Sequence, residues 1–340
     1  MKRTLTNLAL TAVSVTVALV AAEFASRLFL PLSPGARSLT LDGRPITVAG
    51  AADYRLTPNL TYRQVSSEYD ARITITAAGY RGPPVTGNPD VVFIGDSFTF
   101  GWGLSDQETF VYRYCTAARL VCANLGQGGT GTGEQVEILA RFLASEGWRP
   151  ARVKLFMLAM TGALADGNDL ADNLAYARTH ADGARRAADP AAAPPAPRSG
   201  GWFRALVGLR GRLLAESNLA RVVYYRFGPA LRAMLASRPD EATLAAALRA
   251  TKVYLDRLRE LGRTYGFEYE IYVLHPVQDI LRGTYGDTLK AIRALAAPAP
   301  VKGTARLFVD DPARYYYAYD GHLNAAGSRA VADFLLDEEG

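Results

Sequence analysis

From Val91 onward the chain alternates short apolar runs with amphipathic stretches, and that alternation restricts it to few folds. Val91-Val92-Phe93-Ile94 reads as a strand buried on both faces, and Glu108 to Leu120 as a helix. Val121 to Leu125 is the next strand, Glu134 to Glu146 the next helix and Val153 to Ala159 the third strand. Strands separated by helices pair in parallel, because the crossover returns the chain to the same end of the sheet. The pattern resumes with strands at Glu270 to Leu274 and Ala305 to Val309 and a last helix at Ala325 to Leu336. The predicted class is therefore α/β with a central parallel sheet, occupying residues 91–340.

A long insertion interrupts this rhythm at about 175–266. Residues 181 to 201 are rich in Ala, Pro, Gly and Arg and read as flexible. Helical stretches follow near Gly211 to Ser237 and Asp240 to Tyr265. The second carries Leu244, Leu248, Leu255, Leu258 and Leu261 at helical spacing, which marks a face packed into a core.

Residues 1–32 form a separate unit. Lys2 and Arg3 precede an apolar stretch, Leu8 to Ala22, which Glu23 breaks and Phe24 to Leu32 resumes. This reads as an uncleaved signal-anchor, with a removable signal peptide as the alternative, and basic residues ahead of it direct the remainder out of the cytoplasm. Residues 33–90 are a polar extension with short strands such as Ala71 to Thr76.

The 38 basic residues exceed the 33 acidic ones only slightly and form no block, so a nucleic-acid partner is not expected. The two cysteines, Cys115 and Cys122, offer no zinc spacing and leave a small disulfide and two buried thiols equally open. Gly126-x-Gly128-x-x-Gly131 matches a dinucleotide fingerprint formally, but no acidic residue ends the next strand, and no cofactor is expected.

The segment with most chemistry is Phe93-Ile94-Gly95-Asp96-Ser97-Phe98-Thr99-Phe100-Gly101, in which a buried strand ends in Gly-Asp-Ser. The carboxyl ends of parallel strands are where an open sheet gathers its functional groups, so Ser97 is a candidate nucleophile. A serine needs a base, and of His180, His275 and His322 the best candidate is the last, in Tyr319-Asp320-Gly321-His322, where a carboxylate two residues earlier can fix its tautomer. His180 borders the flexible insertion, and His275 ends a strand before Pro276. Asn124-Leu125-Gly126-Gln127-Gly128-Gly129-Thr130 and Gly167-Asn168-Asp169 follow the second and third strands and could supply donors to an oxyanion.

These four segments, in this order, resemble the four signature blocks of the SGNH (GDSL) hydrolase superfamily, over roughly Val91 to Leu336. The resemblance implies a flavodoxin-like three-layer α/β/α sandwich, Ser97 as nucleophile, Gly129 and Asn168 as oxyanion donors, and His322 as base with Asp320 orienting it. It further implies a serine esterase, with a partner-dependent O-acetyltransferase and a non-catalytic glycan-binding protein as alternatives. Ala78-Gly79-Tyr80-Arg81-Gly82 and the preceding anchor are similar to a bacterial membrane-attached subgroup, whose domain would face the periplasm or cell exterior. Asp320 stands two residues before His322 where the usual block has three, a spacing shared with proteins that O-acetylate exopolysaccharides such as alginate. An acylated glycan or small molecule is the substrate so implied, and a transferase would require a membrane partner supplying acetyl groups.

Overall fold

A computed structural model of the protein describes residues 2–32, 37–40, 56–162, 164, 168–179, 213–214, 216–224 and 239–338. The stretch expected to be flexible, 181–201, and His180 lie outside the described residues. The chain divides into two compact units, one of Met1–Arg37 with Ala196–Leu235, the other of Ser38–Pro195 with Ala236–Gly340.

In the first unit, α1 (Lys2–Phe29) contains a 20-residue apolar span, Leu10–Phe29, whose large side chains are exposed from Leu10 to Phe29. At about 1.5 Å per residue such a span is long enough to cross a bilayer. Glu23, the residue that interrupts the apolar run, accepts hydrogen bonds from the Ser217 hydroxyl and from the amides of Asn218 and Leu219. Asn218 donates to the Leu30 carbonyl and accepts from the Leu32 amide. Part of the expected insertion thus packs with the N-terminal helix, which spacing along the sequence does not reveal.

The second unit is built on a five-stranded parallel sheet, β4 (Val91–Gly95), β5 (Cys122–Asn124), β6 (Arg152–Leu158), β7 (Glu268–Leu274) and β8 (Val301–Gly303). Its spatial order is β5-β4-β6-β7-β8, which is the 2-1-3-4-5 order of the flavodoxin-like doubly wound fold. Strand alternation splits the core in two. Val92 and Ile94, with Val153, Leu155 and Met157, and Ile271 and Val273, face one layer. That layer holds α4 (Thr132–Ser145), α5 (Asp169–Thr179) and the helices Glu241–Tyr265 and Tyr285–Ala296. On the other face, Phe93, Phe156 and Tyr272 stack in succession across β4, β6 and β7, at 6.1 Å and 4.8 Å between ring centroids. This face is covered by α3 (Phe110–Ala118) and the helix Ala325–Asp337. The protein is therefore α/β, with helices on both faces of a parallel sheet.

The helix Glu241–Tyr265, counted with the insertion, buries Ala246, Ala250, Leu255, Leu258 and Leu261 in the core, as the helical spacing of its leucines predicts. One sequence expectation changes. The strand expected at Ala305 to Val309 is a turn of 3-10 helix, Ala305–Leu307, and the last strand is Val301–Gly303. Thr304 makes the final backbone bond to Val273, after which Phe308 turns into the second core and leaves the sheet edge. The true edge strand was illegible because it is three residues long and carries Lys302, whose ammonium pairs with Glu270.

Preceding the parallel sheet, β2 (Leu60–Val65) and β3 (Asp70–Ile75) form an antiparallel hairpin, joined in a three-stranded sheet by β1 (Arg37–Thr40). Arg81 links this hairpin to the end of β5 through backbone bridges to Ile75 and Asn124. Its side chain is fully buried, pairs with Asp106, and donates to the carbonyls of Phe100, Gly101 and Leu104. The Ala78–Gly82 motif thereby shapes the loop that leaves the Gly-Asp-Ser turn. Cys115 and Cys122 are joined in a disulfide that ties α3 to β5, which decides between the two states the sequence left open.

Candidate active site

Ser97 opens the four-residue helix α2 (Ser97–Phe100) directly after β4, beside the point where connections leave the sheet in opposite directions. Asp96 caps this turn by accepting from the Phe98 amide at 2.9 Å. The turn must pass very close to the β5 loop. A β-carbon at Gly126 would lie 2.3 Å from the Phe100 nitrogen, so only glycine allows that approach. Asn124 seals the contact, donating to the Thr99 carbonyl and accepting from the Gly126 amide.

The Ser97 hydroxyl lies 2.7 Å from His322 Nε2, and His322 Nδ1 is hydrogen-bonded to Asp320 Oδ1. Donation from Nδ1 to the carboxylate leaves Nε2 free to accept from the serine. Sequence distance is no obstacle, since serine and histidine are separated by 225 residues and meet above the carboxyl end of the sheet. The Asp-x-His spacing works because Gly321 adopts φ +85°, a left-handed turn that folds both side chains toward one another. Tyr317 closes that turn by donating its amide to the His322 carbonyl at 2.8 Å.

Side-chain exposures of 22% for His322 and 20% for Asp320 leave the pair partly open to solvent. The imidazole packs against Phe98 and Trp102, at 4.8 Å and 5.9 Å between centroids. Burial alone would raise the Asp320 carboxyl, but hydrogen bonds from His322 and Tyr69, with the attraction of the imidazole, hold it below the ordinary range. Asp96 and Asp169 are both buried, and loss of water raises each, Asp169 further because Asp96 and Asp172 lie near it.

Gly129 is exposed, with φ +74°. Its neighbour Gly128 is nearest the nucleophile, since a β-carbon there would stand 3.6 Å from Ser97 Cβ and 4.0 Å from Trp102. Asn168 is buried; its amide donates to the Met160 carbonyl and its oxygen accepts from the amides of Met160 and Leu170. Those bonds tie the loop after β6 to the start of α5.

Sequence reasoning missed three residues. Tyr69 donates to Asp320 Oδ2 at 2.9 Å, Trp102 Nε1 donates to the Tyr69 hydroxyl at 3.0 Å, and Glu68 accepts from the amides of Tyr319 and Asp320. Tyr69 and Asp320 are 251 residues apart, and no spacing in the chain could have signalled the pairing. Among the described residues, no group of His, Cys, Asp and Glu is arranged to hold a metal ion.

No protein-family model matches this sequence, and no curated protein matches it. Among solved structures, a carbohydrate esterase, described as having an active site with divergent catalytic and non-catalytic binding functions, is similar over 89% of this chain and 96% of its own. The identity is 10% and the TM-score 0.39.

Proposed function

We propose that this protein is a serine esterase that hydrolyses O-acyl esters, with Ser97 as nucleophile, His322 as general base and Asp320 as its orienting acid. The observation that carries the reading is the continuous hydrogen-bonded series from the Ser97 hydroxyl through both ring nitrogens of His322 to Asp320. In the first half-reaction His322 removes the serine proton as Oγ attacks the ester carbonyl, and the resulting imidazolium protonates the departing alcohol. Asp320 stabilises that imidazolium. Water, deprotonated by the same histidine, then releases the acid and restores the serine.

The oxyanion formed in each half is proposed to be received by backbone amides of the Gly128-Gly129 turn and by the side-chain amide of Asn168. Losing one such donor costs about 2.7–4 kcal/mol of transition-state stabilisation. The closeness of Gly128 to Ser97, and of the Trp102 ring to Gly128 and His322, favours a short acyl group, acetyl above longer chains. The apolar N-terminal helix supports a membrane-tethered enzyme, and an O-acylated glycan of the cell envelope or an exported one is the proposed substrate.

The Asp-x-His spacing favours a second reading, transfer of the acyl group to a glycan hydroxyl in place of water. The two share an acyl-enzyme and differ only in its acceptor. Full-length protein in detergent, given p-nitrophenyl acetate with and without a polysaccharide acceptor, separates them. Release of free acetate regardless of acceptor supports the esterase. Acetylated glycan accumulating at the expense of acetate would replace it with the transferase, and turnover surviving in Ser97→Ala would remove both.

A further inference from the structure

We infer that Tyr69 is a positioning residue of this site: its hydroxyl, delivered by the β2–β3 hairpin, holds Asp320 so that the other carboxylate oxygen faces His322. The inference rests on the proposed role of the Ser97–His322–Asp320 series and extends it to a part of the chain that precedes the α/β core. A carboxylate turns easily about its last torsion, so one hydrogen bond leaves its plane poorly defined. Here the two oxygens have different partners, Oδ1 the His322 ring and Oδ2 the Tyr69 hydroxyl at 2.9 Å.

The direction of the Tyr69 bond follows from its own partner. An indole N–H can only donate, so Trp102 Nε1, 3.0 Å away, obliges the phenolic oxygen to accept from it. The hydroxyl hydrogen is then left for Asp320. Burial and the charge on Asp320 keep the phenol protonated well above its ordinary range.

The ring that carries this hydroxyl is held on several sides. Tyr317 packs on it at 4.9 Å, and a β-carbon at Gly103 would fall 2.8 Å from it, so the loop backbone lies flat against the phenol. Gln64, on β2, accepts from the Gly103 amide at 2.8 Å, and Tyr317 donates to the Gly103 carbonyl. Glu68 takes the amide of Asp320 itself at 2.8 Å. Consecutive hairpin residues thus address the backbone and the side chain of the same aspartate. A purely space-filling role would need neither the hydroxyl nor the glutamate.

The test is a cycle of Tyr69→Phe and Asp320→Asn in the full-length protein, read as kcat and KM on p-nitrophenyl acetate and as Tm. Tyr69→Phe keeps the ring and removes the bond. It is expected to lower kcat about 10- to 100-fold with KM within roughly twofold, the effect of losing one hydrogen bond to a charged group. In the Asp320→Asn background the same substitution is expected to change kcat by no more than about twofold, because residues acting through one another are not additive. Wild-type kcat in Tyr69→Phe, or an undiminished loss in the Asp320→Asn background, would overturn the inference. Should Tyr69→Phe not fold, Glu68→Ala is judged by the same two criteria. Ser97→Ala alongside separates the failures. Activity surviving in it removes the whole site, whereas an inactive Ser97→Ala beside a fully active Tyr69→Phe removes this inference alone.

Discussion

Two histidines stand near aspartates at the carboxyl end of the same sheet, and they differ in everything except that pairing. His322 is half-buried, bonded through one nitrogen to Asp320 and through the other to Ser97. His275, at the end of β7, is 1% exposed and lies 4.0 Å from Asp279, and among the described residues neither ring nitrogen has a hydrogen-bond partner. Its ring faces Tyr285 at 5.9 Å instead of a nucleophile. Burial pushes the His275 imidazole down to about 4, so it is neutral at neutral pH. Proximity to an acid therefore does not by itself place a histidine against a hydroxyl. A hydroxyl within reach, a ring held at both nitrogens and partial exposure distinguish the two.

The largest effects should divide along that line. Ser97→Ala and His322→Ala are each expected to lower kcat about 10⁴-fold or more, whereas His275→Leu should leave it within a few-fold. A loss of equal size in His275→Leu with the fold intact would erase the distinction. Next come the acids: Asp320→Asn is expected to lower kcat by about 10²- to 10⁴-fold through misorientation of the imidazole, and Asp279→Asn to leave it near wild type. Steady-state kinetics on p-nitrophenyl acetate decide both.

Stability should show the reverse pattern. His275 has a folded pKa of about 4, below its ordinary 6.5, so folding favours the neutral ring. Its contribution is fully present above about pH 6.5 and disappears as pH falls through about 4, amounting to about 3 kcal/mol. Asp279, raised by burial, acts with the opposite slope, so the quantity to compare is wild type minus His275→Leu in denaturant melts from pH 7 to 4. A difference that does not change with pH would contradict the assignment. The smallest expected effect lies outside both pairs. The Cys115–Cys122 disulfide closes a short loop, a separation of 7, and Cys115→Ser should cost about 2 kcal/mol of stability without altering kcat.

How much of this was legible in the sequence depends on whether a feature is local. The strands from Val91 to Leu158 and the segments that bring Ser97, Asp320 and His322 together were readable because apolar runs, Gly-Asp-Ser and Asp-Gly-His each sit within one element and its following turn. The preference for His322 over His275 was readable too, since Asp320 is two residues away. What spacing could not show was long-range: the hairpin that brings Tyr69 to Asp320, the packing of Asn218 against the end of α1, and the buried guanidinium of Arg81. The edge strand was misplaced because the apolar Ala305-to-Val309 run outweighs a short, polar Val301–Gly303 whose identity comes from pairing with β7. For Asn168, whose place in the sequence suggests a donor to the site, the structure shows bonds to Met160 that hold the loop after β6.

The central claim is that Ser97 is a nucleophile activated by His322, and a fluorophosphonate probe tests it without knowledge of the natural ester. Intact-mass analysis of the full-length protein should show one adduct, mapped by peptide sequencing to Ser97. The rate of labelling should collapse in His322→Ala and stay unchanged in His275→Leu. A protein that hydrolyses esters yet carries no label on Ser97, or labels there equally fast without His322, would contradict the account.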